Sequence, residues 1–230
     1  ASYSLVAIPL FVLMGEILIE SGCSKQIFRG VKRLLKPIPG GMLHANIVAC
    51  SIFAACSGSS TATTVAVGGV SRPELEAEGY AKGITLGSIC AGGTLGVLIP
   101  PSIMMILYGS LTANSIGKLF IAGIIPGICL AAMFMIYIGV ACTIHKDWAP
   151  PREKITSIGA YAKDVGLGII DLWPVVLIIG GIMASIYGGF ATPTEAGAVA
   201  CVVSFLLWAL YYRTLTWDKF KVAISETVIF

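Results

Sequence analysis

Charged residues are scarce in this sequence, and their scarcity excludes an ordinary soluble domain. Asp, Glu, Lys and Arg make up 12% of the 230 residues, whereas 57% are hydrophobic. A soluble domain needs roughly a quarter of its residues charged to keep its surface in water. Five stretches contain none of these four types: residues 37–71, 83–117, 119–144, 172–194 and 196–212. Because a helix needs about 20 apolar residues to cross a bilayer, the pattern predicts an all-α polytopic membrane protein.

Side chains that bind transition metals are also few. The two histidines, His44 and His145, lie at the ends of apolar stretches, and the seven cysteines show no paired spacing. Cysteines in apolar runs behave as small buried hydrophobes, so we expect neither disulfides nor a zinc site. The net charge of +3 does not indicate nucleic acid, because the basic residues lie beside membrane segments. We therefore predict no transition metal, no cofactor and no nucleic-acid partner.

The sequence lacks an initiator methionine and a recognisable secretory signal. Residues 3–19 have no basic region before them and no cleavage motif, so we interpret them as a membrane helix that contains Pro9 and Glu16. The chain starts within this apolar run and stops at Phe230 in an amphipathic one. We expect it to be a fragment of a longer protein.

Basic residues are concentrated in three segments, residues 25–36, 145–154 and 213–221. In the first segment the apolar residues recur on one face of a helix, which predicts an amphipathic helix in the membrane interface. Positive charge is retained on the cytoplasmic side of membranes. The pattern therefore predicts a multi-pass inner-membrane protein with these segments in the cytoplasm. The loops around Asn114 and Gly188 would lie on the opposite side.

Two interruptions divide the charge-free runs. Residues 42–70 form two arms of about 13 residues around a Ser/Thr/Gly cluster at 57–64, and each arm is too short to span a bilayer. This predicts a re-entrant helical hairpin with the cluster at its tip. The next run contains three glycines and a double proline at 92–101. Since proline removes a backbone donor and clashes with the preceding turn, we predict a discontinuous transmembrane helix broken across these residues.

Other local signals complete the predicted organisation. Ser71 and Glu74 have the spacing of a capping box, which predicts a new helix there, and Thr192 and Glu195 have the same spacing with Pro193 between them. A short surface helix is predicted at 155–164, followed by crossings at 167–187 and 191–212. We divide the chain into four parts. Residues 1–41 hold the first helix and the basic interfacial helix, and residues 42–114 hold the hairpin and the broken helix. Residues 115–166 hold a transmembrane helix and the surface helix, and residues 167–230 hold a helix pair and further scaffold.

The two interruptions are the candidate site. Irregular backbone within a membrane costs several kcal/mol for each unpaired group unless it lines a cavity or binds an ion. Half-helix carbonyls and hydroxyl groups suit a small hard cation, and half-helix N-termini suit an anion. The absence of a nearby carboxylate favours Na⁺ over a proton relay. The candidate hydroxyl ligands are Ser57, Ser59, Ser60, Thr61 and Thr94.

Simpler interpretations remain for several of these residues. Small residues at 57–64 would also allow close helix packing, although the double proline has no such explanation. Glu195 is expected to act as a capping residue. Glu16 could face a cavity, contact another subunit or extend to the interface. Both histidines are expected to be interfacial.

Three motifs together resemble a known family. Residues 57–63 (SGSSTAT), 93–102 (GTLGVLIPPS) and 189–197 (GFATPTEAG) are similar in order and spacing to the large membrane subunit of tripartite ATP-independent periplasmic (TRAP) transporters, and the similarity covers essentially the whole chain. The resemblance implies Na⁺-coupled import of a small organic anion, such as a dicarboxylate or sialic acid. It also implies a periplasmic binding protein, a small membrane subunit and an elevator movement.

The resemblance extends the list of site residues. It implies that the hairpin and the broken helix are half of an inverted repeat, and it adds Gly58, Gly93 and Pro100 to the Na⁺ ligands. Candidates to face the substrate in the same segments are Thr63, Gly96, Pro101 and Ser102. The second hairpin and second broken helix are missing from this length of chain. We therefore expect that the chain alone does not transport.

Two rival functions remain at this point. An intramembrane serine hydrolase would use Ser60 as its nucleophile, within a Gly-x-Ser pattern, and would need a base at the same depth. A channel would pass its solute without saturation and without a binding protein. In either case the protein would lie in a lipid bilayer.

Overall fold

The computed structural model describes residues 3–151 and 158–229, which form α-helices and connecting segments without a β-strand. We name the helices α1 to α10 in chain order. A 3₁₀ turn at Tyr3–Val6 precedes α1, and a π-helix at Leu207–Tyr212 continues α9. The bounds are α1 Ala7–Ser21, α2 Cys23–Leu35, α3 Gly41–Ser57, α4 Ser60–Ala77, α5 Lys82–Leu98, α6 Ile103–Thr112, α7 Ile116–Ile144, α8 Ile158–Tyr187, α9 Pro193–Leu206 and α10 Trp217–Ile229.

Four helical segments in the described part of the chain are long and apolar enough to cross a membrane. They are α5 with α6, α7, α8, and α9 with its π-helical continuation. Helices α1 and α2 together would make a fifth, although the chain bends by 71° between them. Gly22 makes this bend with a φ of 83°, in the left-handed region that glycine adopts without strain. The all-helical polytopic fold is confirmed.

The hairpin is present, with a shorter tip than expected. Helix α3 ends at Ser57, only Gly58 and Ser59 lie outside helices, and α4 begins at Ser60. The predicted new helix at Ser71 is wrong, because α4 continues through Pro73 to Ala77. Val67, Ser71 and Leu75 are all fully buried at a spacing of four residues. Burial of this continuous helical face outweighs the hydrogen bond that Pro73 removes.

The next span is broken only at its prolines. Helix α5 continues to Leu98, residues 99–102 are non-helical, and α6 starts at Ile103. The prediction that the break begins at Gly92 is therefore wrong. Glycine keeps its backbone N–H and remains in a helix where packing favours it, whereas proline lacks that donor.

The predicted surface helix at 155–164 is not separate from the following span. Residues 155–157 lie outside the described part of the chain, and from Ile158 onward α8 runs without interruption to Tyr187. The crossing predicted to begin at residue 167 therefore starts at least nine residues earlier. Gly188 and Gly189 then turn the chain, as expected, and Gly189 has a φ of 71°.

The basic segments meet at one end of the molecule, called here the basic end. The Lys219 ammonium donates to the Glu20 carbonyl at 3.2 Å, and the Ala81 N–H donates to the Trp148 carbonyl at 3.1 Å. Gly40 lies against Cys142. Within the described residues, the three basic segments therefore share one end, as predicted. Residues 152–154 of the second segment lie outside the description.

Helix α2 is held against α8 by two of its basic residues and by a glycine contact. Towards α8, Arg29 and Arg33 approach the Asp171 carboxylate at 2.9 and 2.7 Å. Gly30 lies backbone to backbone against Gly168, where a Cβ on either glycine would come within 2.9 Å of the other's carbonyl oxygen. The amphipathic helix predicted from residues 25–36 is confirmed. Three of its basic residues bind acidic side chains of the protein.

The Asp171 ion pair should contribute measurably to stability. Its carboxylate side chain is 12% exposed, whereas Asp164, which pairs with Lys36 at 3.6 Å, is 39% exposed. We expect Asp171→Asn to lower the free energy of unfolding by about 1–2 kcal/mol, because an amide cannot serve two arginines as a charged acceptor. For a chain of this size that is a loss of roughly 2–8 °C in Tm.

The matched control is Asp164→Asn, which should change the free energy of unfolding by less than about 0.5 kcal/mol because its pair is exposed. Thermal unfolding of the protein in detergent measures both variants. Equal shifts for the two would show that apolar contacts alone hold α2 against α8.

Candidate cation and substrate site

The hairpin tip and the break after α5 are in direct backbone contact. The Ile103 N–H donates to the Gly58 carbonyl at 3.2 Å. Gly58 has a φ of 61°, and a Cβ on it would lie 3.0 Å from the Ile103 nitrogen and 3.1 Å from the Pro101 carbonyl oxygen. Glycine is therefore required at this position for both its conformation and its size. The two interruptions therefore meet, and we call the place where Gly58 contacts residues 101–103 the junction.

Three of the five glycines of α5, Gly92, Gly93 and Gly96, form the surface on which the hairpin packs. A Cβ on Gly92 would lie 2.7 Å from the Cys50 sulfur, and one on Gly96 would lie 2.8 Å from the Ser59 carbonyl oxygen. Gly93 contacts the Thr64 side chain. Small residues let helix backbones approach closely within a membrane. Gly93 and Gly96, predicted as ligand and substrate contact respectively, thus lie inside α5 against the hairpin.

Hydroxyl groups within the hairpin tip bind one another. Ser57 and Thr63 are 2% and 0% exposed, and their hydroxyl oxygens are 2.9 Å apart. The Thr63 hydroxyl also donates to the Ser59 carbonyl at 2.7 Å. Ser59 is the N-cap of α4, where its hydroxyl accepts from the Ala62 N–H at 3.4 Å. These three side chains therefore shape the tip.

Two hydroxyl groups at the junction have no such bonds. The Ser60 and Ser102 oxygens are buried without a hydrogen-bond partner among the described residues. Ser60 starts α4, and Ser102, which is 0% exposed, lies immediately before α6. A buried hydroxyl without a partner costs about 1–3 kcal/mol. Both residues lie within two positions of the Gly58–Ile103 contact, where the two breaks meet.

The donor set fits a small hard cation. Helices α3 and α5 end at the junction, so their last carbonyl groups concentrate partial negative charge there. Pro100 and Pro101 are buried in the non-helical segment beside Gly58. Oxygen donors of this kind suit Na⁺, and the described residues contain no cluster of His, Cys, Asp and Glu able to hold a transition metal.

Thr94 lies away from the junction, whereas Thr61 lies beside it. Thr94 is exposed, and its hydroxyl donates to the Ala91 carbonyl of its own helix at 2.7 Å. The structure therefore does not bring Thr94 together with the other predicted ligands. Thr61 is also exposed but lines a cavity beside the tip.

That cavity has a volume of about 560 Å³, and Glu16 lines it, so of the positions considered for Glu16 the structure shows the one facing a cavity. It lies between the hairpin tip and helices α1 and α10, and Glu16 and Glu226 line it opposite Ser59 and Thr61. Sequence reasoning did not single out Glu226. The helical spacing of Val222, Glu226 and Ile229 was the available signal, since all three line the cavity.

The remaining candidates have structural roles. Glu195 completes the predicted capping box, with its carboxylate accepting from the Thr192 N–H at 2.8 Å and the Thr192 hydroxyl accepting from the Glu195 N–H at 3.3 Å. The His44 ring nitrogen bonds the Pro39 carbonyl at 3.1 Å, and His145 stacks on Trp148 at the basic end. His44 is roughly 20 Å along α3 from the tip. Neither histidine is positioned to activate Ser60, which removes the basis for a serine hydrolase.

The packing role of Gly96 can be tested by adding one methyl group. In Gly96→Ala the new Cβ would lie 2.7 Å from the Ser59 carbonyl carbon, so the tip must shift. We expect a loss of about 1–3 kcal/mol in the free energy of unfolding, measured by thermal unfolding in detergent.

Gly69→Ala is the matched control, since Gly69 is also helical and a Cβ there meets nothing within 4 Å. It should be neutral or stabilising by up to about 1 kcal/mol, because alanine has the higher helix propensity. The close approach of α5 to the hairpin would be refuted if the two alanines had the same effect.

Comparison with known proteins agrees with this arrangement. The family model of the tripartite ATP-independent periplasmic transporter, DctM component, matches residues 1–230. The large permease protein DctM of a C4-dicarboxylate TRAP transporter in Pseudomonas aeruginosa is 39% identical over 98% of this chain and 51% of its own length. The ectoine TRAP transporter large permease TeaC of Halomonas elongata is 38% identical over 98% of this chain and 52% of its own.

A third relative is the 2,3-diketo-L-gulonate TRAP transporter large permease YiaN of Escherichia coli, 37% identical over 94% of this chain and 49% of its own length. The chain thus spans about half the length of these relatives. The match covers the hairpin, the broken helix and the capping box together. These are permeases and not enzymes, and the chain belongs to the DctM component family of tripartite ATP-independent periplasmic transporters.

Proposed function

We propose that the complete protein imports a small organic anion together with Na⁺, and that the junction of the hairpin tip with the broken helix binds the cation. The observation that carries this proposal is the pair of buried, unpaired hydroxyl groups of Ser60 and Ser102 at a backbone contact between two helix breaks. A bound cation would supply the interactions that these oxygens lack.

The hydroxyl and carbonyl oxygens at the junction suit Na⁺. Glu16, Glu20 and Glu226 line the same cavity as Ser57, Ser59 and Thr61, so the expectation that no carboxylate lies near the site is wrong. We propose Na⁺ on the basis of the oxygen donors at the junction. We propose that Ser57, Gly58, Ser59 and Thr61 surround the cation with Ser60 and Pro100, and that Gly93 supports them by packing.

The same junction offers partial positive charge for an anion. Helices α4 and α6 both begin there, and a helix N-terminus attracts negative charge. Pro101 and Ser102 lie immediately before α6. Thr63 is bonded within the hairpin tip, and Gly96 packs against the tip. The relatives' names include C4-dicarboxylate, ectoine and 2,3-diketo-L-gulonate. An organic solute carrying a carboxylate is the class that we propose.

The proposed movement is an elevator movement of residues 42–114 relative to the other helices. A small membrane subunit and a periplasmic binding protein would complete the system, with the basic end in the cytoplasm of a bacterial cell. Since the chain spans half of its relatives, a second hairpin and broken helix would supply the rest of the site. A channel is the rival, and flux without saturation or binding-protein dependence would favour it.

Uptake by the complete transporter in proteoliposomes tests the coupling. With its binding protein and a radiolabelled C4-dicarboxylate, accumulation should require an inward Na⁺ gradient. Ser60→Ala and Ser102→Ala should each raise the Na⁺ concentration for half-maximal uptake by about tenfold, because a hydrogen-bonding or ligating oxygen is worth roughly 1.4 kcal/mol.

Thr143→Ala is the control, since this exposed hydroxyl only donates to the Val140 carbonyl of its own helix. It should leave the Na⁺ dependence unchanged. Accumulation without a Na⁺ gradient would reject the symport mechanism. Unchanged Na⁺ dependence in both serine variants would move the cation away from this junction.

A further inference from the structure

A second cavity, of about 700 Å³, lies between α5 and α7 and is also lined by Ile47 of α3. On α5 it extends from Ala81 to Ala91, and on α7 from Ile138 to Leu130. At the helical rise this is a slot about 12 Å long. Ala81 is bonded to the Trp148 carbonyl, so the slot begins at the basic end and runs into the membrane.

The lining of the slot is mostly hydrocarbon. Its polar side-chain groups are the hydroxyls of Ser88 and Tyr137 and the indole N–H of Trp148, and the Ser88 hydroxyl is engaged with Asn46 at 3.0 Å and the Thr85 carbonyl at 2.8 Å. Gly83 and Gly87 form the floor on α5, and a Cβ on either would meet nothing within 4 Å. The floor of the slot is therefore apolar.

The slot is open to the outside of the molecule along α7. Met133 and Tyr137 line it while 64% and 61% exposed. Extended hydrocarbon chains fit this shape.

The mouth of the slot carries positive charge and aromatic rings. Lys82 and Lys146 are exposed, and neither has an ion pair with any described residue. By contrast Lys32, on the neighbouring α2, is paired with Glu74 and Glu78. Trp148 lines the mouth with His145 stacked on it at 4.4 Å between ring centroids. Tryptophan is typical of the lipid headgroup level.

We propose that this slot binds one anionic phospholipid. Its acyl chains lie between α5 and α7, over Gly83 and Gly87, and its phosphate is attracted by Lys82 and Lys146. Asp147 is the one acid among residues 145–151, so together with Lys82 and Lys146 this described part of the mouth has a net positive charge. The lipid would thus contact α5, α7 and the α3 arm of the hairpin. This assignment does not rest on the Na⁺ coupling proposed above.

Titration of the complete, delipidated permease with phosphatidylglycerol, followed by native mass spectrometry, tests the acyl-chain part. Gly87→Leu places a side chain into the slot and should weaken phosphatidylglycerol binding at least tenfold. Gly180→Leu is the matched control, since Gly180 is an exposed helical glycine of α8 with nothing within 4 Å of a Cβ. Its phosphatidylglycerol affinity should equal that of the unaltered protein.

The headgroup part is tested by charge removal. Lys82→Gln and Lys146→Gln should each weaken phosphatidylglycerol binding by about fivefold, the size expected for one lysine at a lipid surface. Lys118→Gln, at the opposite end of α7, should have no effect. Zwitterionic phosphatidylcholine should bind at least fivefold more weakly than phosphatidylglycerol.

The proposal is overturned if the unaltered permease binds no phosphatidylglycerol, if Gly87→Leu binds it as tightly as Gly180→Leu does, or if the three lysine variants are equivalent. Equal binding of the two lipids would likewise overturn the assignment of an anionic headgroup. Each of these outcomes is independent of whether uptake requires Na⁺.

Discussion

The close approach of α5 to the hairpin is the constraint on which the candidate site depends. Gly92, Gly93 and Gly96 let the two elements meet without intervening side chains, and the Ile103 N–H then reaches the Gly58 carbonyl. If these backbones were held further apart, four helix ends would no longer converge and the Ser60 and Ser102 hydroxyl groups would face separate environments. Close packing thus produces the geometry of the candidate site. The interpretation of the small residues as packing residues is therefore compatible with their interpretation as site residues.

Much of the fold was predictable because the charge-free stretches and the basic segments follow directly from the cost of placing charge in hydrocarbon. The hairpin, the amphipathic helix α2 and the capping box at Thr192 were all identified from local chemistry. The boundaries were less accurate where tertiary burial decided them. Ser71 was taken as a helix start, yet α4 passes through it because Val67 and Leu75 are buried on the same face.

The candidate site was predictable as a region, but the direction of each side chain was not. The motif at 57–63 placed five hydroxyl groups near one another without showing that Ser57 and Thr63 bind each other while Ser60 stays unpaired. Thr94 illustrates the same limit. It is next to Gly93 in the sequence, but successive residues of a helix point in different directions, so Gly93 contacts the hairpin and Thr94 is exposed. Glu226 lies far along the chain from α1, and only the fold places it across the cavity from the tip.

Helix α2 has different kinds of contact on its two sides. On the α8 side, glycine backbones touch and a carboxylate that is 12% exposed accepts two arginines. On the α4 side, Lys32 bridges Glu74 and Glu78, whose side chains are 40% and 45% exposed. Water can replace the ion pairs of Lys32 at little cost. Water cannot reach the Asp171 ion pairs without separating α2 from α8. If the hairpin moves as proposed, the exposed Lys32 pairs would exchange with water at little cost, whereas the contact of α2 with α8 would stay intact.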